Sequence, residues 1–386
     1  MRGAGGLGMS SVNVPGGRPF FLRVEALRGI GAAMVAGYHI SGWGAPAGRL
    51  LPHDPWIGAG SLQNAVGRVE LYLFMGHAAL MVFFAISGFV LRVSLQYGPQ
   101  DFGRAAVRFH VARIFRIYPI VVFGMFVAAI AHNWQLPQAD TPLSLSTLVA
   151  NFLLLDVSLN TTLWAIQLEV VMAPLIVMLY FLECRQGPRV LAVIAVVATF
   201  LAFSNWALWR PLSEYFFAFV LGMLIPTLGK NWVLGLSRMT VNRLLLSAVV
   251  CLFLPWPLLG FYSKFSAVIE GYAAALLVCI IAYRLEITNV RCLDWRPIRM
   301  LGLSSGSFYV LHMSVLPWIV PIVARMIPNQ LSIQIPVLAG PLVIFGSLVL
   351  FAPIALLSYH GIEAPGISLG RIIIARRTVV SAENDC

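Results

Sequence analysis

Long apolar runs succeed one another along the chain, separated by short polar segments. Ten runs reach the length of a membrane-spanning helix, at approximately residues 20–43, 69–91, 118–133, 162–183, 190–209, 212–228, 244–262, 267–283, 302–327 and 336–358. The third is short and could extend backwards through Ile114. Residues 142–157 are apolar but too few to cross comfortably, so they read as an interfacial or re-entrant piece on the outer side. The pattern predicts an all-α fold: a polytopic membrane helical bundle with about ten transmembrane helices.

Polar residues inside such runs carry the most information, because a charge facing lipid is costly and usually faces a bundle interior or a watery path. The first run holds Glu25, Arg28, Tyr38 and His39 within EALRGIGAAMVAGYH. Eleven residues make three helical turns with about 20° to spare, so Arg28 and His39 share a face, about 16 Å apart along the axis. Glu25, three residues before Arg28, can pair with it. In the fourth run, LWAIQLEVVMAPL places Glu169 about 7 Å along the helix from Trp164. His39 and Glu169 then fall at similar depth, the parts of a general base with an orienting carboxylate; a structural hydrogen bond between helices is the plainer alternative. His312, in GSFYVLHMSVLPW, is a second intramembrane histidine that a core hydrogen bond explains as well as function does. Ser87 and Gly88, in FFAISGFVL, read first as small-residue helix packing. Glu363, in YHGIEAPGISLGR, could pair with an arginine at the inner face.

Composition supports the membrane reading and adds an orientation. The chain has 386 residues, 59% hydrophobic and 11% charged, against about 25% charged in soluble domains. The net charge of +11 is spread over the short segments and not gathered into one patch, so nucleic acid is not an expected partner. Twenty of the 26 basic residues fall on one set of alternate segments, five fall on the other, and Arg28 lies inside the first run. That asymmetry predicts ten spans with both termini cytoplasmic, in the cell inner (cytoplasmic) membrane. Arg104, Arg108, Arg113 and Arg116 cluster after the second run. Guanidinium groups match phosphate oxygens, so the cluster could hold a phosphorylated donor, although orientation alone accounts for basic residues there. The five cysteines have neither paired nor metal-ligand spacing and read as reduced, with no metal implied. Residues 1–19 are rich in Gly, Pro and Ser and read as disordered, with Met9 a second possible start and no cleavable signal peptide.

Taken together these pieces resemble the integral-membrane acyltransferase-3 family over about residues 20–371. The main hallmark is an arginine and a histidine separated by ten residues in the first span, here Arg28 and His39. FFAISGFVL, RIFRIYP, LWAIQLE, GSFYVLH and IEAP follow in the family's order. The family's usual Trp-Ser-Leu-x-x-Glu is WAIQLE here, so Trp164 and Glu169 match while Ala165 replaces the serine. The resemblance implies acyl transfer, usually acetyl, from cytoplasmic acyl-CoA to a hydroxyl, most often on a saccharide or glycolipid. His39 is then expected as base or acyl relay, with Glu169 orienting it and Arg28 guiding the donor or stabilising charge on the thioester oxygen. Arg113, Arg116 and Arg108 would bind CoA phosphates, and Trp164, Ser87 and His312 would contact the acceptor. The expected domains are a disordered cytoplasmic 1–19, the acyltransferase domain 20–371 and a cytoplasmic tail 372–386. A transporter or flippase of a lipid-linked saccharide, using the same polar stripe, is the alternative. Against it, no inverted repeat or interrupted pair of spans is visible.

The basic-residue asymmetry generates a test. Reporter fusions at Gly235 and Asp294 should read cytoplasmic and one at Pro137 external; a cytoplasmic signal at Pro137 would invert the later spans.

Overall fold

The computed structural model describes residues 11–13, 19–42, 73–135, 144–204, 209–260, 263–328 and 336–384. Strand β1 (Ser11–Asn13) pairs antiparallel with β2 (Pro19–Phe21), Ser11 opposite Phe21; the remainder of the expected disordered segment 1–19 lies outside the described residues, as do Met9 and the 69–72 start of the second expected span. Helices α1 (Leu22–Gly42), α2 (Gly76–Gln96), α3 (Phe102–Gln135), α4 (Leu145–Phe152), α5 (Trp164–Gln186) and α6 (Arg189–Phe203) follow. Next come α7 (Arg210–Leu224), a π turn over Ile225–Gly229, α8 (Lys230–Leu234), α9 (Arg238–Phe253), α10 (Pro255–Leu259) and α11 (Lys264–Tyr283). The chain ends with α12 (Arg296–Leu303), α13 (Ser305–Met326), α14 (Pro336–Ser358), a second π turn over Tyr359–Glu363, and α15 (Ala364–Asn384).

The protein is a polytopic helical bundle. Each of the ten expected spans coincides with a helix, and seven of these, some continuing through π turns, are long and apolar enough to cross a membrane. The other three are α1, α6 and α9. Helix α1 has the length but carries Arg23, Glu25, Arg28 and His39, whereas α6 and α9 are shorter. Large apolar side chains look outward: Phe126, Phe200, Phe265, Phe345 and Leu357 keep 62%, 73%, 63%, 67% and 74% of their surfaces exposed, which suits a lipid environment. Helix α4, within the expected interfacial piece, has 8 residues and a length of about 12 Å, well short of a bilayer core.

Helix α1 is central, packed against α2, α12, α13 and α14. Its Val24, Ala26 and Val35 join a core built largely from α2, α5, α6, α7, α9 and α11. Its Ala32, Ala36 and Ile40 join a second core of α3, α13 and α14. The polar stripe of α1 therefore runs along the seam between two apolar cores. Glycines set the close crossings: a Cβ on Gly88 would collide with the Phe219 carbonyl, and one on Gly222 with the Ala85 carbonyl, so α2 and α7 touch backbone to backbone. Backbone approach through small residues is how membrane helices gain packing contact when lipid is as apolar as they are.

Two helices depart from the apolar runs that announced them. Helix α3 begins at Phe102, well before the expected 118, and continues through Pro119. The earlier turns carry arginines, which hydropathy reads as a loop although they favour a helix. Proline leaves the Phe115 carbonyl without its helical donor; Gly366 of α15 packs against both that carbonyl and the Pro119 ring. The last run likewise continues beyond residue 371 as helix to Asn384.

The α2–α7 crossing predicts that Gly88→Val lowers the thermal midpoint and folded yield in detergent, by an overpacking cost of about 1–3 kcal/mol. Gly361→Ala, where an added Cβ meets nothing within 4 Å, should be near neutral. Equal behaviour of the two variants would refute the close approach.

Candidate active site

The site is built outward from α1. At its Arg28 end, Arg28 Nη1 donates to Glu25 Oε1 at 3.0 Å, and Arg116 Nη2 of α3 lies 3.9 Å from the same oxygen. One turn earlier on α3, Arg113 Nη2 donates to Glu169 Oε2 of α5 at 2.9 Å. Ser87 of α2 donates to the other Glu169 oxygen. Glu363, in the π turn, accepts from the Ser307 amide at 3.0 Å and the Ser307 hydroxyl at 2.8 Å. Arg116 and Arg28 both act electrostatically on Glu363, and Arg113 and Arg28 on Glu169. Three arginines thus face three carboxylates, contributed by α1, α3, α5 and the π turn. The Arg113 Nε is enclosed and has no hydrogen-bond partner among the described residues.

At the other end of the stripe, His39 lies beside His312 of α13, ring centroids 5.3 Å apart and planes inclined by 31°. His312 is fully buried, and its Nδ1 lies 2.6 Å from the Tyr309 carbonyl oxygen. Its enclosed Nε2 has no partner among the described residues. A buried nitrogen left in that state costs about 1–3 kcal/mol. The loop before α5 braces this end. Asn151 donates to Asp156 and Ser158 and accepts from the Leu159 amide. Asn160 Nδ2 donates to the Val310 carbonyl at 2.9 Å, and the Tyr309 hydroxyl donates to the Thr162 carbonyl at 2.8 Å. Hydrogen bonds from Ser158 hold the Asp156 carboxyl below its usual range.

The structure brings most of the sequence candidates together, with two changes. Glu169 belongs to the Arg28 end of the stripe, where Ser87 and Arg113 take its two oxygens; the ring beside His39 is that of His312. Depth along separate runs could not reveal this, because α3 and α5 have to be placed side by side first. Arg108 lies apart from the network, exposed, with Nη1 on the Tyr97 carbonyl at 3.2 Å. Ser87 and Gly88 divide the two readings of their motif: Ser87 enters the polar network and Gly88 packs against α7. Trp164 stands against Tyr215 and Phe84, at centroid distances of 5.3 and 6.1 Å.

Sequence reading missed a second buried pair. His77 Nδ1 of α2 lies 2.6 Å from Glu270 Oε2 of α11, with the His77 ring 5.5 Å from Trp256 and 5.8 Å from Tyr215. Glu270 was visible by the reasoning that flagged Glu169, a carboxylate inside an apolar run. It also missed Arg92, which holds Glu183 through Nε at 3.2 Å and Nη2 at 3.0 Å and so ties α2 to α5. A third tie, Arg23 to Asp294 at 2.9 and 2.6 Å, anchors the start of α1 and holds the Asp294 carboxyl below its usual range.

The fold and the site define a polytopic membrane protein with a polar network along its central helix. The family profile described as an acyltransferase domain, Acyl_transf_3, matches residues 21–356. The chain therefore belongs to the acyltransferase-3 family and is a membrane acyltransferase. No curated protein and no solved structure matches it.

Because the network is paired inside the bundle, Glu169→Ala should cost about 3 kcal/mol by stranding Arg113. The additional change Arg113→Met should recover much of that loss. Thermal midpoints in detergent measure both; a single variant as stable as the parent would mean that the pair does not hold α3 to α5.

Proposed function

We propose that the protein moves an acyl group, acetyl being the expected one, from cytoplasmic acyl-CoA to a hydroxyl of a cell-envelope or exported glycan or glycolipid. It would do so in the cell inner membrane, with both termini cytoplasmic, through the domain at residues 20–371 and with 372–386 as a tail. One observation carries the reading: the same stripe of α1 leads from a half-buried arginine–carboxylate network to a pair of imidazoles. Charges gathered on one line inside a membrane bundle favour a watery functional path over a lipid-facing position.

In this reading Arg113 and Arg116 bind the CoA phosphates. Guanidinium groups suit that task, and Arg113 keeps one N–H uncommitted. Arg28, on the same stripe as His39 but about three turns from it, guides the donor toward that ring. A hydroxyl is a poor nucleophile until its proton leaves, so His39 serves either as the base or as a nucleophile that carries the acyl group. Glu169 holds Arg113 in place. Trp164 and His312 line the acceptor side, and Ser87 acts through its bond to Glu169.

The test is label transfer from acyl-CoA into native membranes, normalised to folded protein. His39→Gln should insert normally, bind acyl-CoA and lose transfer by about 10²-fold or more. Arg113→Lys should instead weaken acyl-CoA binding. Near-parental transfer by His39→Gln would sink the mechanism, and a parent protein that moves the glycan across the bilayer without consuming acyl-CoA would favour a transporter.

A further inference from the structure

We infer that His312 is the base that takes the proton of the acceptor hydroxyl, leaving His39 to carry the acyl group. The inference rests on the acyl-transfer reading above and divides its two unassigned roles between two rings. The carbonyl of Tyr309 can only accept a hydrogen bond, so His312 Nδ1, 2.6 Å away, carries the hydrogen. The neutral ring is thereby fixed as the tautomer with its lone pair on Nε2. That Nε2 is the one polar atom of the ring without a partner among the described residues.

The carbonyl that fixes the tautomer is itself held. The Tyr309 hydroxyl donates to the Thr162 carbonyl at 2.8 Å, and the next carbonyl, of Val310, accepts from Asn160 at 2.9 Å. His39, whose ring centroid is 5.3 Å from that of His312, retains partial exposure where His312 retains none. A nucleophile has to reach the thioester carbon, so the more exposed imidazole suits that step. An enclosed ring of fixed tautomer suits proton acceptance from a hydroxyl drawn up to its neighbour.

The two steps balance. First, a His39 ring nitrogen bonds to the thioester carbon and the carbon–sulfur bond breaks. The departing thiolate takes the proton released from the other His39 nitrogen. Second, the acceptor oxygen bonds to the acyl carbon as its proton passes to His312 Nε2, and the carbon–nitrogen bond to His39 breaks. The proton on His312 then passes to the released His39 ring, and both rings return to neutrality.

His312→Asn is the informative variant, because its side-chain amide can still donate to the Tyr309 carbonyl while nothing occupies the Nε2 position. Hydroxylamine is the informative probe, since it attacks an acyl group without needing a base. With labelled acetyl-CoA and native membranes, His312→Asn should lose transfer into the glycan fraction by about 10²-fold or more. It should still form acetyl hydroxamate, above the uncatalysed background, at close to the parental rate. His39→Gln should lose both products. Where His312→Asn does not accumulate, His312→Gln takes its place. Parental glycan transfer by the variant overturns the inference and leaves acyl transfer standing, and so does equal loss of both products. A parent protein that forms neither product removes the acyl-transfer reading itself.

Discussion

A charge inside an apolar bundle has to be paired where it lies, and this requirement fixes how the helices meet around α1. Stranding one member of a buried pair costs about 3–5 kcal/mol, comparable with the whole stability of many domains. Glu25 is met by Arg28 from its own helix and Arg116 from α3, Glu169 by Arg113 from α3, and Glu363 by the field of Arg116. Sliding α3 by a turn, or exchanging α5 for another apolar helix, would leave at least one of these bare. Dispersion alone does not specify partners among helices that are all as apolar as lipid. The ion pairs and the glycine crossings supply the register instead.

The π turn at Tyr359–Glu363 shows the same constraint acting on one helix. A π turn inserts an extra residue into a helix and so rotates everything beyond it. Here it falls at the residue whose carboxylate reaches Ser307 on α13. Gly306, next to Ser307, leaves the space that this carboxylate fills: a Cβ there would lie 2.9 Å from Glu363 Oε1. The sequence YHGIEAP, notable beforehand only as a motif at the end of an apolar run, thus brings the third carboxylate into the network.

Much of the fold was legible because hydropathy reports directly on burial in lipid: every expected run contains helix, and seven helices among the described residues are long and apolar enough to cross. What hydropathy cannot report is a charged helical turn, and so α3 was expected to begin about four turns late. The stripe of Arg28 and His39 was also legible, since it depends on one helix and its pitch. Pairings between helices were not. Glu270 and His77 are 193 residues apart, Arg92 and Glu183 are 91 apart, and no periodicity within either run points to the other. His312 lies between these cases. Its place in the membrane could be read, whereas its tautomer depends on a carbonyl whose position is set by α13 and the loop before α5.

The separation of the two ends of the α1 stripe restricts the donors that the proposed chemistry can use. The arginine network and His39 are about 16 Å apart along the helix. A donor whose acyl carbon is bonded directly to its phosphate, as in an acyl phosphate, cannot occupy both places at once. Held by the arginines it would present its carbonyl to Arg28, far from an imidazole. A donor with a long flexible linker between its phosphates and its thioester can be held at one end while it reacts at the other. The pantetheine arm of coenzyme A is such a linker. Binding energy from the remote phosphates can then be applied at the reacting carbon, which is how an enzyme gains rate from parts of a substrate that do not change.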